Sequence, residues 1–172
     1  MEMTVSDALI AVLRKHGVRY VCGLPAAQLG LFMDGASRHP DLVYVTTRHE
    51  EAAGHMAASI SRVTDTVGVC FATVGPGATN LVPGVAAAFA DNIPIVVITG
   101  QNQSWTIEPG LDQLQAADQL SLFKPITKWG AAVYDAQNIP EVIRKAFKLA
   151  AREKPGATYI ELPEDIAKDE VV

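Results

Sequence analysis

Five stretches of the chain are apolar without polar alternation: "VRYVCGLP", "DLVYVTT", "VGVCFATV", "IPIVVITG" and "ATYIELP". Val, Ile and Thr dominate them, the signature of strands covered on both faces, as in a parallel sheet. Helical spacing fills the intervals. Thr4 to His16 repeats Ala8, Leu9, Val12 and Leu13 on one face, with Thr4 as N-cap and Gly17 as the stop. "AQLGLFMDGASRH", His49 to Val63, Leu81 to Ala90, and "IPEVIRKAFKLAAREK" before Pro155-Gly156 are further helices. Strand and helix alternate, which predicts a doubly wound α/β domain with a mostly parallel sheet and helices on both faces. Crossovers should be right-handed. One domain over 1–172 is expected, with its core at about 4–166 and 167–172 beginning a linker or tail. Gln101 to Lys128 fits neither period, and long irregular loops in compact domains are often functional.

Composition narrows the class. With 49% apolar and 19% charged residues over 172 positions, the chain is globular. A net charge of −5, with no basic stripe among aromatics, argues against a nucleic-acid partner. No apolar run reaches membrane-span length, and "MEMTVSDALIAVL" lacks a basic signal-peptide start. A soluble cytoplasmic protein is the expectation. Cys22 and Cys70 sit inside strand-like runs, so buried free thiols are expected.

Ligands of open α/β sheets bind beyond the carboxyl ends of the strands. "GLPAAQ", "RHEEAAG", "GPGATN" and "TGQNQS" all follow strands directly. "GPGATN" (75–80) has glycines for a close backbone approach but lacks the GxGxxG pattern and a following lysine. By itself it reads as a tight turn with Thr79 or Asn80 near a helix start. In "RHEEAAGHMA", His49 and His55 are six apart, so a helix does not place them on one face, and no metal site is expected. Glu50 and Glu51 have two readings. Acids stabilise a helix N-terminus by roughly 0.3–1 kcal/mol each. Alternatively Glu50 faces inward, where a carboxylate in an apolar pocket has a raised pKa and shares a proton with a ligand nitrogen. The residues alone leave both open.

The order "RHEEAAGHMA", "ATVGPGATN", "IPIVVITGQ", "LQAADQLSLFKPITK", "PGATYIELPEDI" resembles the pyrimidine-binding (PYR) domain of thiamine-diphosphate-dependent enzymes, most of all the acetohydroxyacid (acetolactate) synthase-like group. The likeness runs from about Thr4 to Ile166. It implies that Glu50 hydrogen-bonds N1′ of the cofactor's aminopyrimidine and favours the imino tautomer that removes the thiazolium C2 proton. The cofactor then attacks a 2-keto acid and acts as electron sink for loss of carbon dioxide. Glu51 stands where the family often has Gln, and reads as a helix-start acid. By the same resemblance Gly23-Leu24-Pro25 lines the pyrimidine pocket, Pro76 and Asn80 lie near the ring, and Gln115 faces the substrate. "GPGATN" is then not the diphosphate site. Lys128 matches a family lysine and equally suits a surface position. Departures are Ala26-Ala27 for the family's Gly-Gly, Ser59-Ile60-Ser61-Arg62 for Gly-Tyr-Ala-Arg, and Leu114 for the Phe before the Gln. They bear on the substrate more than on the cofactor.

The family holds diphosphate and Mg2+ on another domain with a Gly-Asp-Gly…Asn-Asn motif, and neither element occurs here. The resemblance therefore implies half a site, completed by a diphosphate-binding domain or subunit in a homo-oligomer, dimer or tetramer. No metal ligand is expected on this chain. The chain is either the N-terminal piece of a longer enzyme or the short subunit of a two-chain decarboxylase of the sulfopyruvate or phosphonopyruvate type. A non-catalytic binding module that kept the fold is the alternative from another class. "LVPGVAAAFADNIPIVVITG" is almost uncharged, which suggests packing against a second subunit.

Overall fold

The apolar runs assemble into a parallel sheet in the computed structural model, which describes residues 3–27, 30–107 and 113–171. Among these residues the sheet has six strands: β2 (Tyr20–Gly23), β3 (Val43–Thr46), β4 (Gly68–Ala72), β5 (Ile95–Gln101), β6 (Trp129–Ala132) and β7 (Ala157–Pro163). Their spatial order is β3-β2-β4-β5-β7-β6, and every neighbouring pair is parallel. Two short strands, β1 (Met3–Thr4) and β8 (Glu170–Val171), pair antiparallel.

Alternate strand residues feed two cores. Val69 and Phe71 of β4 join Leu9 and Leu13 of α1 (Val5–Lys15), Phe32 of α2 (Gly30–Ser37) and Ile143 and Phe147 of α7 (Ile139–Ala151). Cys70 and Ala72 face the other way. They meet Ala53 and Ala57 of α3 (Glu50–Val63), Leu81 and Val85 of α4 (Pro76–Ala90) and Phe123 of α6 (Gln119–Phe123). Helices thus cover both faces, as the pattern predicts, and the strands lack polar alternation because neither face meets water. Among the described residues the remaining α-helices are the short α5 (Ser104–Ile107) and α8 (Glu164–Ala167). The Thr4 side chain accepts from the Asp7 N–H at 3.1 Å to cap α1, and Gly17 stops the segment at φ +77°.

The chain moves one way from β2 to β3 and the other way from β3 to β4, so its direction switches between β2 and β4. α2 and α3 leave this point on opposite faces, which opens a crevice at the carboxyl ends.

Three details depart from the pattern. α4 begins at Pro76 rather than near Leu81, because proline suits the first helical position, and it runs on through Pro83 to Ala90. Gln101 to Lys128 carries α5 and α6 and leads into β6, an edge strand whose Gly130, Ala131 and Ala132 give little apolar signal. Residues 167–171 pack on the domain, with Ala167 and Val171 buried. Cys22 and Cys70 are buried and free, as expected, and burial pushes the Cys22 thiol up to about 11. No helix among the described residues is long and apolar enough to cross a membrane.

Candidate functional site

Glu50 opens α3 directly after β3. His49 takes the N-cap, extended at φ −155° and ψ 144°, and its Nδ1 accepts from the Glu51 N–H at 3.2 Å. From this start the two acids diverge. Glu50 is 5% exposed, turned toward α4. Glu51 is half-exposed and lies 3.7 Å from His55, one helical turn on. Burial separates the two acids: Glu51 is at the surface and Glu50 faces inward. His49 and His55 form no metal cluster among the described residues.

Asn80 on α4 donates its Nδ2–H to Glu50 Oε2 at 3.0 Å. Gly77, also on α4, borders the other oxygen, since a Cβ there would stand 3.3 Å from Glu50 Oε1 and 2.5 Å from Thr73 Cγ2. "GPGATN" is therefore a wall of the Glu50 site and the first turn of a helix at once. The backbone of Gly75 (φ +59°) enters that turn, and its carbonyl accepts from the Thr79 N–H at 2.8 Å. Thr79 turns its hydroxyl back to the Pro76 carbonyl.

Packing of α3 on α4 sets the Glu50–Asn80 separation. The helices cross at Gly54 and Gly84, where a Cβ on Gly84 would meet the Glu51 carbonyl oxygen at 2.9 Å and Gly54 Cα at 3.0 Å.

Gly23, Leu24 and Pro25 lie at the end of β2, on the same sheet edge. The Gly23 carbonyl accepts from the Thr47 N–H, and a Cβ on Gly23 would come 2.5 Å from Tyr44 Oη. Tyr44 Oη and Thr47 Oγ1 are buried with no hydrogen-bond partner. No hydrogen bond among the described residues joins Gly23, Leu24 or Pro25 to Glu50. Pro76 is exposed at the first position of α4. Gln115 has an exposed side chain and a left-handed backbone, φ +63°; a Cβ on Gly75 would overlap its carbonyl oxygen. Its backbone thus closes over the turn. Lys128 lies elsewhere: its Nζ donates to the carbonyls of Leu149 (2.5 Å) and Arg152 (2.7 Å), capping α7.

Sequence reasoning passed over Gln119. It is fully buried, and its Oε1 accepts from the Gly75 N–H at 2.7 Å. Glu161, Tyr159 and Thr99 surround it from β7 and β5. Burial pushes the Glu161 carboxyl up from its ordinary value, against the hydrogen bonds from Gln119, Gln101 and Tyr159. A lone Gln in a polar stretch carries no pattern. Its one signal is its place after Asp118, the residue that caps α6.

The comparisons bear on this arrangement. Residues 3–122 match the family profile described as thiamine pyrophosphate enzyme, N-terminal TPP binding domain. The chain is 41% identical over 169 residues to a probable acetolactate synthase large subunit of Methanocaldococcus jannaschii, covering 98% of this chain and 28% of that protein. It is 38% identical to the acetolactate synthase isozyme 3 large subunit of Escherichia coli (96% and 29%). It is 40% identical to the mitochondrial acetolactate synthase of Schizosaccharomyces pombe (88% and 22%). The chain thus spans less than a third of the length of these relatives. With the profile matching most of it, the chain belongs to the thiamine pyrophosphate enzymes, as their N-terminal TPP-binding domain.

Proposed function

We propose that this domain supplies the pyrimidine half of the cofactor site in a thiamine-diphosphate-dependent enzyme that decarboxylates and joins 2-keto acids in the manner of acetolactate synthase. The observation that carries the reading is Glu50: a buried carboxyl at a sheet switch point, oriented by Asn80 and bordered by a glycine. These residues fit an aminopyrimidine. A flat ring suits a wall without a side chain at residue 77, and a ring nitrogen suits the carboxyl. Bound thiamine diphosphate would supply the carbanion chemistry that lets a 2-keto acid lose carbon dioxide.

The chain's own part is positioning and proton control. Glu50 holds a proton at the pyrimidine N1′. Asn80 fixes which way the carboxyl faces through its Nδ2–H hydrogen bond. By the family resemblance, Gly23, Leu24 and Pro25 would close the pocket from β2, Pro76 would border the ring, and Gln115 would face the substrate. Diphosphate and Mg2+ belong to a further domain or subunit of a cytoplasmic homo-oligomer, which fits a chain without a Gly-Asp-Gly motif.

The test uses the full-length enzyme freed of cofactor. With pyruvate alone it should form acetolactate only after thiamine diphosphate and Mg2+ are restored, and the 172-residue chain by itself should turn nothing over. Decarboxylation without condensation would replace the synthase reading with a simple decarboxylase, and indifference to the cofactor would remove both.

A further inference from the structure

Gly75 occupies backbone that only glycine adopts readily, at φ +59° and ψ −107°, and it is buried. Such a turn persists only where its surroundings over-determine it. Its carbonyl is engaged by the Thr79 N–H inside α4. Its N–H has a side-chain partner, Gln119 Oε1, at 2.7 Å. Gln119 is in turn anchored to the sheet. Its Nε2 lies 3.1 Å from the Gly100 carbonyl, 3.2 Å from Glu161 Oε2, and 3.3 Å from both Thr99 Oγ1 and Tyr159 Oη. An amide has two N–H groups, so it donates to two of these four acceptors at a time, and all four lie on β5 and β7. Tyr159 Oη and Thr99 Oγ1 are themselves 2.7 Å apart, and the whole group is shut off from water.

The turn so held leads straight into Pro76 and Gly77, the wall of the Glu50 site. The turn just before α6 also lays the Gln115 carbonyl on Gly75. We infer that Gln119 is a positioning residue for proton transfer at the pyrimidine site: through the Gly75 N–H it fixes the Gly75–Gly77 backbone against Glu50 and locks the Gln115 loop to it. This rests on the reading of Glu50 above. It adds a residue that touches neither cofactor nor substrate and that acts from the β5 and β7 side of the sheet.

Leucine at 119 fills similar space but leaves the Gly75 N–H without its side-chain partner and takes one of three donors from the Glu161 carboxyl. In the full-length, cofactor-saturated enzyme, Gln119→Leu should slow hydrogen–deuterium exchange at the cofactor C2 by roughly ten- to a hundred-fold. Deuterium uptake at the Gly75 amide should speed up in the same variant. Gln119→Glu keeps an acceptor for Gly75 but puts a second carboxyl beside Glu161. The titratable groups facing position 119 are Glu161 and Tyr159 on β7, with Asp118 adjacent on its own segment. Two carboxyls there share one proton in acid and repel once both ionise. The C2 exchange rate of Gln119→Glu should therefore approach that of the unaltered enzyme at acid pH and fall away as pH rises.

Unchanged C2 exchange in a folded Gln119→Leu enzyme overturns the inference, as does a slow rate without faster Gly75 uptake. If Gln119→Leu does not fold, the Gln119→Glu profile decides, and a defect equal at every pH overturns the inference. Glu50→Gln run alongside separates the two claims. Normal exchange there overturns the site reading itself. Slow exchange there with normal Gln119→Leu overturns only the role of Gln119.

Discussion

Gly84→Ala tests whether helix packing sets the chemistry. Alanine is the better helix former, favoured by about 1 kcal/mol in a helix interior. Packing opposes it. The new Cβ would stand 2.9 Å from the Glu51 carbonyl oxygen and 3.0 Å from both Gly54 Cα and the His55 nitrogen, and all three are backbone atoms of α3. Ordinary contact begins at 3.4 Å, so α3 and α4 must part by about 0.5 Å. Overpacking of this kind costs roughly 1–3 kcal/mol. The same shift stretches the 3.0 Å Asn80–Glu50 bond toward about 3.5 Å, the limit of a hydrogen bond. A hydrogen bond of this kind contributes ~0.5–1.5 kcal/mol. The losses exceed the gain, so Gly84→Ala should destabilise the fold by about 1–2 kcal/mol. C2 exchange should slow by up to about tenfold, one such bond being partly lost. Chemical denaturation and C2 exchange on the full-length enzyme read the two effects. Gly30→Ala is the control: among the described residues nothing lies within 4 Å of its Cβ, so stability should stay within about 0.5 kcal/mol. A Gly84→Ala enzyme that is more stable and exchanges normally would refute the coupling of crossing to site.

Lys128→Ala should lower stability by about 1 kcal/mol through the lost α7 cap and leave C2 exchange intact, as denaturation and exchange assays will show. Glu161 keeps its proton to higher pH folded than unfolded, so between those values the folded state binds more protons and stability falls as pH rises. Glu161→Gln should remove that slope and raise the unfolding midpoint more at neutral than at acid pH; an equal shift at both would contradict it. Cys22 and Cys70, buried and pushed toward the thiol form, should resist thiol reagents at neutral pH until the chain unfolds, and a native disulfide between them, read by mass, would overturn this.

The sheet was legible because parallel strands under two helical layers must be apolar throughout, and "IPIVVITG" has no other use. β6 was not, because an edge strand of Gly and Ala that packs on one neighbour needs little hydrophobicity. Glu50 and Glu51 are indistinguishable as letters: both are acids in the first turn of α3, and only the rotation of that helix against α4 buries one. "GPGATN" was readable as a ligand-side loop by resemblance, yet its helical start was masked by Pro and two Gly, residues that punctuate more often than they begin helices. Gln119 was invisible for a different reason. Its partners come from β4–α4, β5 and β7, so its role exists only in three dimensions.

The central claim is that one glutamate, Glu50, controls the proton at the pyrimidine. Its most direct measurement is hydrogen–deuterium exchange at the cofactor C2 in the full-length enzyme carrying Glu50→Gln or Glu51→Gln. Glutamine keeps the shape and the reach to Asn80 but cannot hold the proton. Glu50→Gln should slow exchange by ~10²–10⁴-fold, the usual contribution of a positioned acid–base group, with the fold intact. Glu51→Gln, on the surface beside His55, should exchange normally. Normal exchange in Glu50→Gln, or a larger defect in Glu51→Gln, would contradict the account.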